Sequence, residues 1–176
     1  MEVIERPQVD DDLVVLPDRT SAINHYIAAA EYYCRQVMDG EIPACKWTRQ
    51  AIERQVEDLQ REPDDSWPWV WSEDHATRPC EFIELLPHIK GKWARDRLLV
   101  TLEPWQCFIL TTVFGWVHKD TGMRRFREAY IEVPRKNAKS TLSSGLALFM
   151  LSADGEHGAE VYSAATTRDQ ARIVFD

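Results

Sequence analysis

A short basic segment in the second half of the chain contains the residue types that bind a phosphate group. Residues 134–141 read PRKNAKST. A phosphate cradle needs a tight strand-to-helix loop with inward N–H groups, a lysine that reaches the β and γ phosphates, and a hydroxyl ligand for Mg²⁺. Lys139 and Ser140 occupy the last two of these positions. The dipole of the following helix adds about half a positive charge at the same place.

The match to the phosphate-loop pattern G-x-x-x-x-G-K-[ST] is imperfect. Val133 and Ala138 stand where the pattern has its two glycines. If Ala138 takes a left-handed backbone conformation, the strain costs about 1 kcal/mol. A plain basic turn capped by Ser140 is the alternative, and the pattern alone does not decide between the two.

The charge around this segment differs from the charge of the whole chain. The chain carries a net charge of -8, yet residues 119–139 hold seven basic side chains against three acidic ones. The basic ones are Lys119, Arg124, Arg125, Arg127, Arg135, Lys136 and Lys139. Such a positive field suits a triphosphate, although a solvated basic hairpin tip around Arg124 and Arg125 explains part of it equally well.

The elements around the loop follow a β-α-β-α order. Alternating apolar residues predict strands at 98–102, 127–133 and 161–165. Helices are expected from Pro104 through Trp116, from Ser140 onward, and after a capping box formed by Thr167 and Gln170. The second half of the chain therefore reads as the start of an α/β domain.

The first half reads as helical. One helix is predicted from an N-cap at Thr20 or Ser21 to Gly40, a second from Pro43 to Pro63, and a short third from Pro79 to Pro87. Between the last two, residues 66–78 concentrate three tryptophans and predict a loop packed by its indoles. We therefore divide the chain into a loose acidic arm (1–19), a helical region (20–97) and an incomplete α/β domain (98–176).

Composition excludes several classes of protein. An acidic net charge excludes a uniformly basic nucleic-acid binder, and a 44% apolar share argues against general disorder. No run approaches the roughly 18 apolar residues of a membrane helix. The four cysteines, Cys34, Cys45, Cys80 and Cys107, include no CxxC pair, so we interpret them as reduced thiols and assign no metal ligand among them.

Four blocks of sequence resemble the large terminase subunit of tailed bacteriophages. They are 102–106 (LEPWQ), 114–116 (FGW), 133–140 (VPRKNAKS) and 164–171 (AATTRDQA). Residues 33–42 resemble the helical lead-in of that family, so the likeness runs from about residue 20 to the end. The resemblance implies a P-loop ATPase with a RecA-like, mainly parallel sheet that pumps double-stranded DNA into a procapsid.

The resemblance also implies roles for particular residues. Gln106 matches the family's adenine-contacting glutamine, Lys139 its phosphate-loop lysine, and Ser140 its Mg²⁺ ligand. Arg135 is similar to the basic residue thought to approach the γ-phosphate, a role that Lys136 could share. The remaining loop residues expected to bind ATP are Asn137, Ala138 and Thr141.

The implied partners are double-stranded DNA, the portal of the procapsid, the small terminase subunit and further copies in a ring, with no membrane. The implied location is the host cytoplasm, at the portal during packaging.

Catalysis further needs an acid on a second strand and a glutamate that aligns water. Asp176 is rejected as that acid because Ala171, Val174 and Phe175 follow a helical spacing. We therefore expect the chain to be an amino-terminal portion that hydrolyses ATP barely or not at all alone. The alternatives are a helicase-like ATPase with the same nucleotide roles and an inactive remnant that only binds partners.

Overall fold

The computed structural model describes residues 24–89, 91–172 and 174. Within this part of the chain there are seven helices and one two-stranded antiparallel sheet. The elements are α1 (His25–Met38), α2 (Lys46–Arg61), β1 (Trp69–Trp71), α3 (Glu73–Glu84), α4 (Gly91–Arg95), α5 (Pro104–Gly115), β2 (Trp116–His118), α6 (Lys139–Ser152) and α7 (Arg168–Arg172). None of these helices is long and apolar enough to cross a bilayer.

The described residues fall into two compact units. The first comprises residues up to Thr77 together with Glu103–Arg125, and the second comprises Arg78–Leu102 together with the residues after Arg125. The division of the chain at residues 20 and 98 stays a prediction.

Helix α1 packs chiefly against α5 in the first unit. Its apolar positions follow the helical period, and Val37 is fully buried, as the sequence predicts. The side chain of Asn24 caps the helix by accepting a hydrogen bond from the backbone N–H of Tyr26 at 3.0 Å. Thr20 and Ser21, the predicted caps, lie outside the described residues.

The prediction of an irregular loop at 66–78 is wrong. Strand β1 pairs with β2 in antiparallel register, with Trp71 opposite Trp116. The two indoles meet edge to face at 5.4 Å, and the Trp116 N–H donates to Gln55 Oε1 at 2.8 Å. Cross-strand aromatic contacts of this kind stabilise a pairing that the isolated segment does not reveal. Trp116, predicted to end α5, therefore belongs to the sheet instead.

Helix α3 begins earlier than predicted. The Ser72 hydroxyl accepts a bond from the backbone N–H of His75 at 3.3 Å, which caps the helix at its start. Pro79, the predicted first residue, lies fully buried inside α3. A strong cap upstream and burial of the ring outweigh the hydrogen bond that proline cannot donate.

In the second unit, the later part of α3 packs against α6. Phe82 and Phe149 meet edge to face at 5.7 Å. The two helices approach so closely at Gly145 that an added Cβ would lie 3.0 Å from Ile83 Cγ1. Arg78 donates to the carbonyl of Ala153, which follows the last turn of α6, at 2.6 Å.

The predicted strands at 98–102, 127–133 and 161–165 are not formed in the part of the chain that the structure describes. Only Leu99 makes a bridge, with Pro87, and Tyr130 and Tyr162 are 89% and 83% exposed. A strand needs a neighbour to satisfy its N–H and C=O groups. Residues 98–100 pair only with the short segment 86–88, and no described segment forms a bridge with 127–133 or 161–165. The parallel sheet that the resemblance implies is therefore not seen among the described residues. The broader prediction, a combination of helices with a β-sheet, is confirmed.

Helix α7 confirms the helical prediction for the last block. The backbone N–H of Gln170 donates to Thr167 Oγ1 at 3.3 Å, as half of a capping box. The Gln170 oxygen instead accepts from Thr166 at 2.7 Å. Asp176 lies outside the described residues.

Candidate functional site

The basic segment turns sharply and then begins α6, as the sequence predicts. Helix α6 starts at Lys139, and its N-cap is Ala138 in the left-handed conformation (φ 51°, ψ 22°). Lys136 also has a positive φ, of 69°. The Ala138 carbonyl accepts the first helical bond, from Leu142 N–H at 2.9 Å. The left-handed alanine that the glycine pattern required is thus present in the structure.

A concavity of about 340 Å³ lies in this turn, and consecutive residues of the loop line it. They are Arg135, Lys136, Asn137, Ala138, Lys139, Ser140 and Thr141. All seven loop residues that the sequence predicted to bind a nucleotide therefore lie together. We call residues 135–141 the phosphate loop.

The side chains of the phosphate loop leave its positive charge exposed. Arg135, Lys136 and Lys139 form no ion pair or side-chain hydrogen bond with any residue that the structure describes. Ser140, beside Lys139, is also exposed. Three unpaired cations at a helix start form a local field that favours an anion.

The backbone of the loop adds donors to this field. The first N–H groups of α6 have no partner within the helix. Positive φ at Lys136 and at Ala138, on either side of Asn137, is the alternation that turns successive N–H groups toward one concave side. The loop thus combines two independent sources of positive potential, the backbone and the side chains.

These residues fit ATP and Mg²⁺. Lys139 can neutralise the terminal phosphates, and the Ser140 hydroxyl can bind Mg²⁺, an ion that usually takes its other ligands from water and phosphate oxygens. Among the residues described, no group of three or more His, Cys, Asp or Glu side chains forms a further metal site.

Gln106 lies in the other unit, near the start of α5. Its side chain is 4% exposed, and its Oε1 accepts from the backbone N–H of Glu103 at 2.8 Å. Gln106 thus caps its own helix, and an adenine contact through Oε1 would have to share or replace that bond. The adenine role of Gln106 stays a prediction.

The basic stretch 119–139 is divided between the two units. Lys119, Arg124 and Arg125 belong to the first unit and are engaged there. Lys119 donates to the Asp64 carbonyl, Arg124 lies over the Phe114 ring, and Arg125 pairs with Asp58. The hypothesis that Arg124 and Arg125 form a solvated tip is wrong, because both pack on aromatic rings or a buried carboxylate.

The four cysteines differ in environment. Cys80 and Cys107 are buried, and burial raises the pKa of the Cys34 thiol to about 12. Cys45 is exposed at the N-cap of α2, where a hydrogen bond with Thr48 lowers the pKa of its thiol. All four are free thiols, as the sequence predicts, although Cys45 is exposed.

Asn137 has a contact that the sequence reasoning missed. Its side-chain amide donates to the carbonyls of Pro134 and Arg135, at 3.2 and 3.4 Å. The sequence could have indicated this contact, because asparagine side chains commonly form hydrogen bonds with nearby backbone groups in turns.

Comparison with known families finds one match. Residues 104–176 match the family described as the terminase large subunit, ATPase domain. The matched segment starts at the first residue of α5 and includes the whole phosphate loop. No curated protein and no solved structure matches the chain. The resemblance stated from the sequence is confirmed for this segment, which is less than half of the chain.

Proposed function

Because residues 104–176 match the ATPase domain of the terminase large subunit, we propose that the phosphate loop binds the β and γ phosphates of Mg²⁺-ATP. The turn at Ala138, followed by α6 with Lys139 at its first position, is the observation that carries the proposal. The proposal is supported because Lys139 and Ser140 line one concavity at the start of a helix, where backbone N–H groups without helical partners favour an anion.

Four residues of the phosphate loop have assigned parts in the proposal. Lys139 neutralises charge on the β and γ phosphates, and Ser140 provides the protein ligand of Mg²⁺. Arg135 approaches the γ-phosphate, where a guanidinium stabilises the charge that develops during phosphoryl transfer, and Lys136 is placed to share this role. The bound Mg²⁺ supplies charge neutralisation between the phosphates.

The chemistry serves the translocation of double-stranded DNA into a procapsid by the full motor. In this proposal the motor acts in the host cytoplasm, as a ring of copies at the portal together with the small terminase subunit. The family match supports this reading over a helicase-like ATPase, and the exposed phosphate loop supports it over a remnant without nucleotide binding.

The test is nucleotide binding by the chain with and without Lys139→Ala. At a free Mg²⁺-ATP concentration of a hundred times the dissociation constant, ATP should stabilise the unsubstituted chain by about 2.7 kcal/mol. Lys139 is exposed and unpaired among the described residues, so its loss should leave the nucleotide-free melting temperature unchanged. The ATP-dependent shift in melting temperature should disappear.

The matched control is Lys92→Ala, which removes one lysine from α4 and should keep the ATP-dependent shift. An ATP shift that survives Lys139→Ala, or one that the control also loses, would remove the loop as the nucleotide site.

A further inference from the structure

The Asn137 side chain closes the phosphate loop on itself. Its Nδ2 donates to the carbonyls of Pro134, at 3.2 Å, and Arg135, at 3.4 Å. The oxygen and nitrogen of an amide are assigned from their partners. Both partners here are carbonyl oxygens, which accept only, so the NH₂ group must face them.

These two bonds hold a backbone that is strained on either side. Lys136 and Ala138 both have positive φ, at 69° and 51°, although neither is glycine. Residues with a Cβ occupy this region at a cost and remain there only when surrounding contacts hold them. Asn137 lies between the two, directly before the α6 N-cap. Its side-chain amide bonds to the carbonyls at the start of the turn.

The same bonds affect the electrostatics of the cradle. A carbonyl oxygen carries partial negative charge and repels a phosphate that approaches it. The Pro134 and Arg135 carbonyls face the Asn137 amide, which engages their lone pairs. The groups that then interact with an approaching phosphate are the backbone N–H groups and the exposed cations.

We propose that Asn137 is a positioning residue, whose side chain forms the phosphate loop before the nucleotide arrives and does not itself contact the nucleotide. The inference rests on the proposed function of the loop. It replaces the sequence-based expectation that Asn137 binds the cofactor directly, because the donors of its amide are already used on the loop backbone.

The first measurement uses the full chain without nucleotide, since a direct ligand would have no effect there. Trypsin cleaves after Arg135, inside the loop, and after Arg95, whose side chain is 77% exposed and serves as an internal reference. Asn137→Ala and Asn137→Asp should raise the rate after Arg135 about tenfold relative to Arg95, because neither side chain can donate to the carbonyls. Short peptides with the same substitutions correct for the intrinsic preference of trypsin.

The second measurement is the affinity for Mg²⁺-ATP. Loss of both bonds should weaken binding about tenfold. Asn137→Ser, which can donate one weaker bond, should be intermediate in both affinity and cleavage rate. Ser143→Ala, an exposed position of α6 outside the loop, is the matched control and should change neither.

The outcomes separate this inference from the proposed function. Wild-type cleavage rates after Arg135 in Asn137→Ala and Asn137→Asp would overturn the positioning role. Weaker ATP binding with an unchanged rate of cleavage after Arg135 would also overturn it, because Asn137 would then be a direct ligand. In both cases, loss of binding on Lys139→Ala would leave the proposed function in place. If Lys139→Ala still binds ATP, the proposed function itself fails.

Discussion

Ala138 places a methyl group where a glycine would be free of strain. Its φ of 51° lies in the left-handed region, which costs a residue with a Cβ about 1 kcal/mol. Its carbonyl nevertheless makes the first hydrogen bond of α6, to Leu142. The position therefore requires a small residue, not glycine in particular.

Substitutions at Ala138 test this requirement. Ala138→Gly should leave Mg²⁺-ATP affinity within about twofold, because the backbone conformation is kept. Ala138→Val should weaken binding at least about tenfold, since a β-branched residue is a severe outlier at this φ. Titration with a fluorescent ATP analogue measures both affinities. Equal affinities for the valine and glycine variants would show that binding does not need the left-handed turn.

At the scale of elements, the junction between α5 and β2 depends on the absence of a side chain. Gly115 ends α5, and a Cβ there would lie 2.6 Å from Trp71 Cζ3 and 3.0 Å from Ala76 Cβ. Trp71 has little room to move, because it is 9% exposed and packs against Trp116. The close approach lets α5, β1 and β2 share one core in the first unit.

Gly115→Ala should therefore lower the free energy of unfolding by about 2 kcal/mol, the usual cost of overpacking. Urea denaturation monitored by tryptophan fluorescence gives the value. In a Trp71→Phe background the smaller ring should relieve the clash, so the two effects should not add. Additive effects would mean that contact with Trp71 is not the cause.

Helices were easier to predict than strands because their signals are local. Apolar spacing and caps located α1, α2, α5 and α6 to within a few residues. The phosphate loop was found for the same reason, since its residues are consecutive. Strand β1 was missed because it is stabilised by pairing with β2, which lies far along the chain. The segments at 127–133 and 161–165 have strand composition but no described partner.

At the scale of the whole molecule, counting the basic residues of 119–139 along the sequence overestimates the positive charge that stays unpaired. The basic stretch 119–139 is divided between the two units. Arg125 pairs at 2.5 Å with Asp58, a residue 67 positions away in the sequence and 3% exposed. No local sequence pattern predicts an ion pair between residues so far apart in the chain. The free positive charge of the stretch is therefore smaller than the count of its basic residues suggests, because Arg125 is paired with a buried acid.

Arg125→Ala should lower the free energy of unfolding by about 3 kcal/mol, because it leaves the buried Asp58 carboxylate without its counter-charge. Under the solvated-tip hypothesis the change would be near zero. Arg127→Ala, at an exposed position two residues later, is the matched control and should be nearly neutral. Urea denaturation of both variants distinguishes the two outcomes, and similar stability for the pair would contradict the buried ion pair.

Helix α6 is anchored at the end opposite the phosphate loop. Its 14 residues make it about 21 Å long, and Arg78 holds the carbonyl just beyond its last turn. Between the ends, Gly145 approaches Ile83 so closely that an added Cβ would lie 3.0 Å from Ile83 Cγ1. Arg78 and Ile83 both belong to α3, so α6 is held to that helix at its far end and midway along its length.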